Sequence, residues 1–520
     1  MELFFASLIQ SVVLAADPLL LAIIFLGVLW GCAMGALPGI TSVIAIGVMV
    51  PFTFGMPPVY AVSFLVAINV GVSFGNSIPA ILVGLPGTPS AVLTALDGYA
   101  LHKQGKSGLA LGVTYFSSVV GQFISIFLFL LMVVPLAQLT YVFLSPELFA
   151  LYFLGTTAII SLTSRNILKG LVAAAFGLTI AMVGRDPLSA VTRFDLGLVE
   201  LRAGIQLVPV VIGLLAVSEL FRSMRHAFRW DALSTSFSAQ FPRWPELRRV
   251  SAPILLGTGI GTFIGAVPGL GGSAAAVLAY QQARLISKRP EEFGRGSTEG
   301  IAANESAQNA AQAGEMVPTF GLGIPGSGAM VVLLGALLMH GFIPGPLLIR
   351  EAPELLYASV TGLLVATVML ALIGWVIARA LLRLVTFDRS LVLVGALVLT
   401  MVGVYTINRS VFDVGLLIFF GIVGYFMLRY GYSTAGAAIA VVLGEGLETN
   451  LRAGLLLMQG DIGAFLSRPW TAGILLFSVI LLVFGTVNML RLAKAEAKQR
   501  DAALAAHLAR AGEAEKMAQR

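Results

Sequence analysis

The polar residues of this sequence that could do chemistry fall along one helix face. Asn304, Gln308, Gln312 and Glu315 follow the three- and four-residue spacing of a single face, and Glu305 lies beside them. Polar and ionisable groups inside a membrane usually face the bundle interior or a transport pathway. The stripe therefore predicts a site for a cation or a polar substrate. The other interpretation is that Asn304 and Glu305 form the solvated end of the helix.

Pro-Gly pairs interrupt the apolar segments at four places, and the interruptions are repeated. The segment Gly35–Ile40 returns as Gly265–Leu270, and Ile78–Thr88 returns as Val317–Ser327 in the same order. The matched order and the matched Pro-Gly placement indicate an internal duplication. Within a membrane, a broken helix is tolerated only where protein or a water-filled cavity surrounds the backbone.

Each break would begin a new half-helix, which has a chemical consequence. The first N–H groups of a helix lack partners and carry partial positive charge, so they attract anions. Small and hydroxyl residues follow the breaks and would let a carboxylate approach the backbone. One such pair is usually a packing kink, but four in a repeated pattern favour binding. The predicted substrate-binding residues are Gly39, Thr41, Ser42, Gly87, Thr88, Ser90, Gly269, Gly271, Gly272, Ser273, Gly326 and Ser327.

The duplication gives the polar stripe a counterpart in the first half of the chain, where three of the four aligned positions are polar. Carboxylate and carbonyl oxygens suit hard cations. No Lys or Arg falls within the repeated motifs, so helix dipoles and co-bound cations would neutralise an anionic substrate. Asp97, close to basic residues, is predicted to be interfacial. The predicted cation or polar site comprises Asn69, Asn76, Gln308, Gln312 and Glu315.

Membrane-spanning helices are the elements that must position these residues. Of the 520 residues, 58% are hydrophobic and 11% are charged, and the mean hydropathy is +0.94. Soluble proteins carry about 25% charged residues, and several apolar runs exceed the ~20 residues that cross a bilayer as a helix. The single cysteine, Cys32, excludes a disulfide framework.

Enzyme motifs are missing from the sequence. The four histidines form no metal-ligand pair at short spacing, and no lysine follows the glycine-rich segment Gly321–Gly326 as it would in a Walker loop. We therefore expect no catalytic residues, no enzymatic activity and no cofactor beyond a coupling cation, Na⁺ or alternatively H⁺.

Loop charges indicate how the two copies are oriented. Lys and Arg concentrate in cytoplasmic loops, and the stretch 222–249 contains six arginines. The loop between the two motifs is uncharged in the first copy, at Pro51–Pro58, but basic in the second, at Gln281–Gly300. Equivalent loops are therefore predicted on opposite sides of the membrane, as in the inverted repeats of many secondary transporters.

These observations predict an all-α polytopic membrane protein with two inverted-topology repeats, Pro-Gly-broken helices or hairpins, and an extra C-terminal transmembrane helix. The predicted divisions are a non-cytoplasmic N-terminal apolar segment (1–17), repeat 1 (18–221), a cytoplasmic basic loop (222–249), repeat 2 (250–450), a final transmembrane helix (471–490) and a cytoplasmic tail (491–520).

Four segments carry a family resemblance. Gly35–Ile40, Pro79–Thr88, Ala302–Asn309 and Pro318–Ser327 resemble the large permease subunit of the tripartite tricarboxylate transporters, the TctA family. The resemblance implies a bacterial inner-membrane protein that works with a small four-helix membrane subunit (TctB-like) and a periplasmic substrate-binding protein (TctC-like). It also implies uptake of citrate or other carboxylates driven by a Na⁺ or other cation gradient.

We therefore expect a secondary active transporter that works by alternating access, with its site between the repeats near the midplane. The long apolar segments 109–134 and 357–378 could form a scaffold for an elevator-type motion. The competing hypotheses are a passive anion channel, a transporter of dicarboxylates or aromatic carboxylates in place of citrate, and a membrane-embedded enzyme.

Overall fold

The computed structural model describes residues 2–139, 143–163, 166–224, 241–384, 389–483 and 485–487. Most of these residues are helical, and a pair of two-residue strands, β1 (Gly184–Arg185) and β2 (Thr192–Arg193), forms the sheet within them. Within these ranges, eight helical segments are long and apolar enough to cross a bilayer. The predicted all-α polytopic membrane fold is confirmed.

The first unit begins after a short N-terminal helix. Short 3₁₀ turns at Val50–Thr53, Pro89–Ala91 and Val199–Leu201 and a π-helical turn at Gly213–Val217 complete it. The N-terminal helix is α1 (Glu2–Leu14). The helices of the first unit are α2 (Pro18–Gly35), α3 (Ser42–Met49), α4 (Pro58–Gly75), α5 (Ser77–Val83), α6 (Val92–Lys103), α7 (Ser107–Leu139), α8 (Ser145–Thr163), α9 (Ile167–Ala181), α10 (Leu207–Ile212) and α11 (Ser218–Met224).

The second unit repeats this order of elements. A 3₁₀ turn at Pro290–Glu292 lies in its first long loop, and an apolar helical segment, Pro469–Val487, follows it. Its helices are α12 (Trp244–Gly265), α13 (Gly271–Ile286), α14 (Thr298–Leu322), α15 (Gly328–Met339), α16 (Pro346–Glu351), α17 (Pro353–Leu384), α18 (Arg389–Asn408), α19 (Val411–Arg429), α20 (Thr434–Leu457) and α21 (Ile462–Ser467).

The helix that opens each unit packs on a later helix of the same unit through glycines four residues apart. In the first unit these are Gly27, Gly31 and Gly35 of α2, which face α4. The second unit uses the glycines of α12 at 257, 261 and 265, which face α14. Small residues at this spacing let two helix backbones approach closely in a membrane. The same ladder in both units supports the duplication seen in the motifs.

Equivalent helices of the two units run in opposite directions. Ser77, at the start of α5 just beyond α4, donates a hydrogen bond to Glu305 (3.0 Å), whereas the Gln312 amide donates to the backbone oxygen of Asn69 (3.1 Å). From Asn69 to Ser77 the residue number rises in the first unit, while that of the contacted residue in α14 falls from 312 to 305. These matching segments are therefore antiparallel. The inverted relation predicted from the loop charges is therefore present in the fold.

Left-handed glycines end the broken helices at equivalent points. Gly84 (φ 74°) ends α5, and Gly323 (φ 72°) ends α14. Gly39 (φ 79°) and Gly269 (φ 84°) take the same conformation in the other pair of breaks. Side chains with a Cβ rarely adopt these angles, so the glycines fix where each helix stops.

The two units are interlocked. The long helix α7 of the first unit packs on α14 of the second, and α17 of the second packs on α4 of the first. In the same reciprocal way, α9 packs on α20 and α19 packs on the segment from α10 to α11. Each unit therefore completes the core of the other.

Several predicted divisions meet the structure only in part. The N-terminal apolar segment is helix α1, whose Ser11 accepts a hydrogen bond from Thr361 of α17 (3.1 Å). Within the span predicted as the basic loop, 222–249, α11 extends to Met224 and α12 begins at Trp244, while residues 225–240 lie outside the described residues. Residues 488–490 of the predicted final helix and the tail 491–520 also lie outside them. Cys32 is buried in α2.

Candidate functional site

A cavity of about 280 Å³ lies where the two units meet at their helix breaks. Most of the residues predicted for the substrate and cation sites line it, although the motifs come from four distant parts of the chain. From the first unit the lining residues are Thr41, Ser42, Val43, Asn69, Ser73, Thr88, Pro89 and Ser90; from the second they are Gly269, Leu270, Gly271, Gly272, Ser273, Gln308, Gln312, Glu315, Ser327, Gly328, Ala329, Ala435 and Ile439.

Helices begin at the cavity wall after each of the four breaks. α3 begins at Ser42, α13 at Gly271 and α15 at Gly328, while a 3₁₀ turn from Pro89 leads into α6. Ser327 caps α15 by accepting a hydrogen bond from the Met330 N–H (3.5 Å). The partial positive charges of these helix starts therefore converge on one volume, and this arrangement favours an anionic ligand.

The polar stripes of both units face the same cavity. Gln312 crosses between the units, donating through its amide to the backbone oxygen of Asn69 (3.1 Å) and to the hydroxyl of Ser73. The amide nitrogen of Asn69 and the amide oxygens of Gln308 and Gln312 are buried and have no hydrogen-bond partner within the described residues. Buried polar groups are normally paired, so these atoms are free to contact a ligand.

Glu315 is the one acidic residue among the lining residues. Its carboxylate accepts hydrogen bonds from the Gly272 N–H (3.0 Å) and the Ser327 hydroxyl (2.6 Å). The equivalent pair in the first unit joins the Asn76 amide to the Thr88 hydroxyl (2.9 Å). The two units thus build the same side-chain pair beside their second break, once with an acid and once with an amide.

Four predicted site residues lie behind the cavity wall. Gly39 accepts a hydrogen bond at its backbone oxygen from Ser223 (3.2 Å), and Asn76 orients Thr88. The backbone oxygen of Gly326 accepts from the Gly269 N–H (3.0 Å). A Cβ at Gly326 would lie 2.7 Å from the Glu315 Cα, whereas one at Gly87 would lie 3.2 Å from the nearest atom. These residues shape the wall rather than face the cavity.

No Lys or Arg belongs to the cavity lining. Behind Thr41 lies an ion pair: Thr41 donates its hydroxyl to Glu219 (2.8 Å), and Glu219 is paired with Arg222 (2.9 Å). Glu219 was missed from the sequence, although an acid within the apolar span Leu207–Met224 was a usable signal.

Glu305 was also left out of the predicted site, because it appeared only to flank the stripe. The structure buries it completely, and side chains from α5, α6 and α7 surround it. The interpretation of Asn304 and Glu305 as the solvated end of the helix is wrong, since both are 0% exposed.

Asp97 is buried and not exposed at an interface. Its carboxylate accepts hydrogen bonds from the backbone N–H groups of Gly294 (2.7 Å), Gly296 (2.9 Å) and Ser297 (3.0 Å). The hydroxyl of Tyr280 donates to its other oxygen (2.7 Å). Asp97 therefore ties α6 of the first unit to the loop before α14, a structural role.

A second cavity, of about 470 Å³, lies further along α20, against residues between Val441 and Asn450. Its rim holds a four-charge network: Arg193 contacts Glu448 (2.7 Å), and Arg452 contacts both Asp186 (2.7 Å) and Glu448 (3.2 Å). Hydrogen bonds from the Ser189 N–H and from Arg452 hold the pKa of Asp186 well below its usual range. The network fastens the β1–β2 hairpin of the first unit to α20 of the second.

Within the described ranges, no group of three or more His, Cys, Asp or Glu side chains is placed to hold a metal ion. The lining offers hydroxyls, amides, backbone N–H groups and one carboxylate. Such a set can bind a carboxylate anion together with a hard monovalent cation.

Comparison with known proteins gives a consistent picture. The family model described as Tripartite tricarboxylate transporter TctA family matches residues 21–439. An uncharacterized 52.8 kDa protein in the TAR-I ttuC' 3' region of Agrobacterium vitis is 32% identical over 477 residues, covering 92% of this chain and 95% of that protein. An uncharacterized protein in the TAR-II ttuC' 3' region of the same organism is 30% identical over 231 residues, covering 44% of this chain and 96% of that protein. No solved structure matches the chain.

Proposed function

Because the chain belongs to the tripartite tricarboxylate transporter TctA family, we propose that it is the membrane permease subunit of a binding-protein-dependent secondary transporter. It imports tricarboxylates such as citrate, or related carboxylates, and couples their uptake to a cation gradient, with Na⁺ as the coupling ion. The observation that carries this proposal is the convergence of four helix starts and two polar stripes on one cavity between inverted units.

Electrostatics supports cation coupling at this cavity. An anionic substrate would enter a space that already contains Glu315 and no basic side chain. Two like charges at short range in a poorly solvated site repel strongly. A cation bound beside Glu315, with the amide oxygen of Gln312 as a further ligand, removes that repulsion, so substrate and cation bind best together.

The positions of the two cavities support alternating access. The site cavity contacts Ala435 and Ile439 in the first turns of α20, the end that the loop charges put on the cytoplasmic side. The second cavity contacts α20 further along the helix, between Val441 and Asn450. We assign this conformation as inward-facing, with the β1–β2 hairpin and its charge network closing the outer side. α7 and α17 are the scaffold candidates.

Family membership implies further subunits. We propose a small four-helix membrane subunit and a periplasmic substrate-binding protein as the partners, in a bacterial inner membrane. The binding protein would deliver the carboxylate to the outer side of the chain, which carries the second cavity.

Uptake into proteoliposomes that contain both partner subunits tests the proposal. An inward Na⁺ gradient should concentrate labelled carboxylate inside, and equal Na⁺ on both sides should abolish accumulation. Replacing Gly326 by Ala should reduce uptake about tenfold or more, because the added Cβ displaces Glu315 at ~1–3 kcal/mol of strain. Gly87→Ala meets a looser contact and should retain more activity.

The alternatives give different results in the same assay. A passive anion channel would equilibrate substrate without concentrating it at any Na⁺ gradient. A transporter of dicarboxylates or aromatic carboxylates would accumulate those compounds and not citrate. If bulky residues at Gly87 and at Gly326 both left uptake unchanged, the assignment of the substrate site to this cavity would be wrong.

A further inference from the structure

Behind the cavity wall lies a second cluster of oxygen atoms, centred on Glu305. Ser77 donates its hydroxyl to both carboxylate oxygens (2.8 and 3.0 Å), Ser118 donates to one (3.1 Å), and Thr94 donates to the other. The amide of Gln308 also donates to Glu305 (2.7 Å), at the carboxylate oxygen that Ser118 contacts. Helices α5, α6, α7 and α14 therefore all contribute to one fully buried group.

The charge of this cluster is unbalanced. Neutral hydroxyls and an amide surround the carboxylate, and within the described residues no Lys or Arg forms an ion pair with it. A carboxylate removed from water without a cationic partner is costly. Two other buried carboxylates are stabilised differently: Glu147 has Arg468 beside it at 2.5 Å, and Asp97 accepts hydrogen bonds from three backbone N–H groups.

Two amide oxygens beside the cluster point independently to a ligand. The Oδ1 of Asn304 and the Oε1 of Gln308 are buried without a hydrogen-bond partner, and Asn304 is 0% exposed. The amide nitrogen of Asn304 donates to Thr94 (2.7 Å), which places this side chain against the ring of hydroxyls. Each hydroxyl retains lone pairs that can turn toward a cation when its hydrogen rotates away.

We propose that Glu305, Ser77, Thr94 and Ser118 form a binding site for a monovalent hard cation such as Na⁺, separate from the cavity that holds Glu315. One carboxylate charge is balanced by one monovalent cation, and carboxylate, hydroxyl and amide oxygens are the ligands such cations take. The site rests on the proposed cation coupling but not on the identity of the carboxylate.

The same side chains connect this site to the substrate cavity. Gln308 contacts Glu305 and lines the cavity, and Asn304 donates to the backbone oxygen of Ser90, another lining residue (3.1 Å). The Ser77 hydroxyl oxygen also lies 3.2 Å from the amide oxygen of Asn76, the residue that orients Thr88. A cation at Glu305 would draw on the hydroxyls of three first-unit helices while Glu305 itself belongs to α14, so its occupancy links the two units and prepares the cavity.

Thermal unfolding of the full-length protein in detergent, without carboxylate, tests the site. NaCl titrated against choline chloride should raise the Tm of the wild type in a saturable way, because a ligand that binds the folded state stabilises it. Glu305→Gln should lose at least half of that Na⁺-dependent rise. The matched control is Glu299→Gln, on the same helix but paired with Arg249 outside the cluster.

A milder variant guards against misfolding of Glu305→Gln. Ser118→Ala removes one oxygen and no charge, and it should raise the half-saturating Na⁺ concentration about tenfold, equivalent to ~1.4 kcal/mol, with the maximal rise retained. An unchanged Na⁺ titration in both variants would overturn the site, and so would a wild-type Tm that responds to pH but not to Na⁺. In a separate titration of the wild type with citrate, no rise in Tm while the Na⁺ response stays intact would count against the proposed substrate class and leave the cation site standing.

Discussion

At the scale of single residues, the site is nearly symmetric in geometry and asymmetric in charge. Asn76 with Thr88 and Glu315 with Ser327 occupy equivalent places in the two units. Only the second pair brings an ionisable group to the cavity. A duplicated site that keeps one acid can hold substrate and cation side by side, since the amide copy does not repel an anion.

Glu315→Gln tests this asymmetry. The variant keeps the shape of the side chain but removes its charge, so a cation beside it loses its main attraction. We expect carboxylate uptake to fall about tenfold, or ~1.4 kcal/mol, and the Na⁺ dependence of carboxylate affinity to weaken. Measurement of uptake across a Na⁺ series checks both effects.

The control for that experiment is Glu354→Gln, an exposed acid in the first turn of α17. It should behave like the wild type. Wild-type uptake and Na⁺ dependence in Glu315→Gln would contradict the assignment of a cation to this residue.

The sequence could predict which residues surround the cavity because the repeat marked them twice. Thr41, Gly271 and Ser327 follow helix breaks. The residues of the stripe share one face of α14 by their spacing alone, whichever helices pack against it. Glu305 could not be assigned in this way. Its role depends on how α5, α6 and α7 rotate toward α14, and that rotation is set by contacts between residues about two hundred positions apart.

At the scale of elements, paired glycine ladders set the distance between the first and later helices of each unit. A Cβ added at Gly261 would lie 2.8 Å from the Ala307 Cα, so the helices would have to separate. Gly259, two residues away on α12, meets nothing within 4 Å. The spacing of these glycines was visible in the sequence, but their partner helix was not. The partner, α14, is not the next helix along the chain, because α13 lies between α12 and α14.

Gly261→Ala should destabilise the protein by ~1–3 kcal/mol, the usual cost of overpacking. Gly259→Ala should be neutral or slightly stabilising, because Ala favours helix over Gly by about 1 kcal/mol. Thermal unfolding of both variants in the same detergent measures the difference. Equal Tm values would show that α12 and α14 are not held at the close distance described.

At the scale of the whole molecule, the two units cannot be treated as separate domains. The apolar segments at 109–134 and 357–378 were predictable as long helices, and α7 and α17 confirm them. Their crossing to the opposite unit was not predictable, since hydropathy carries no information about which neighbour a helix selects. The outer charge network was not predictable either, since it joins Asp186 of one unit to Arg452 of the other.

The pH dependence of stability tests the outer network. A carboxylate whose folded pKa is lowered contributes stability above its unfolded pKa and loses it as pH falls through the folded value. The difference in Tm between the wild type and Asp186→Asn should therefore be constant from about pH 5 to pH 8 and shrink below about pH 4. A difference that changes between pH 6 and pH 8 would contradict the lowered pKa of Asp186.

The burial of Cys32 has a practical consequence for observing motion in this protein. It is the only cysteine of the chain and is 0% exposed, so thiol-reactive dyes and spin labels should leave the native protein unmodified. Cysteines introduced at exposed positions such as Lys106 and Ile343, beyond the ends of α6 and α15, would then be the only labelled sites. Fluorescence transfer or electron spin distances between them could follow the movement of α6 relative to α15 in an otherwise native sequence.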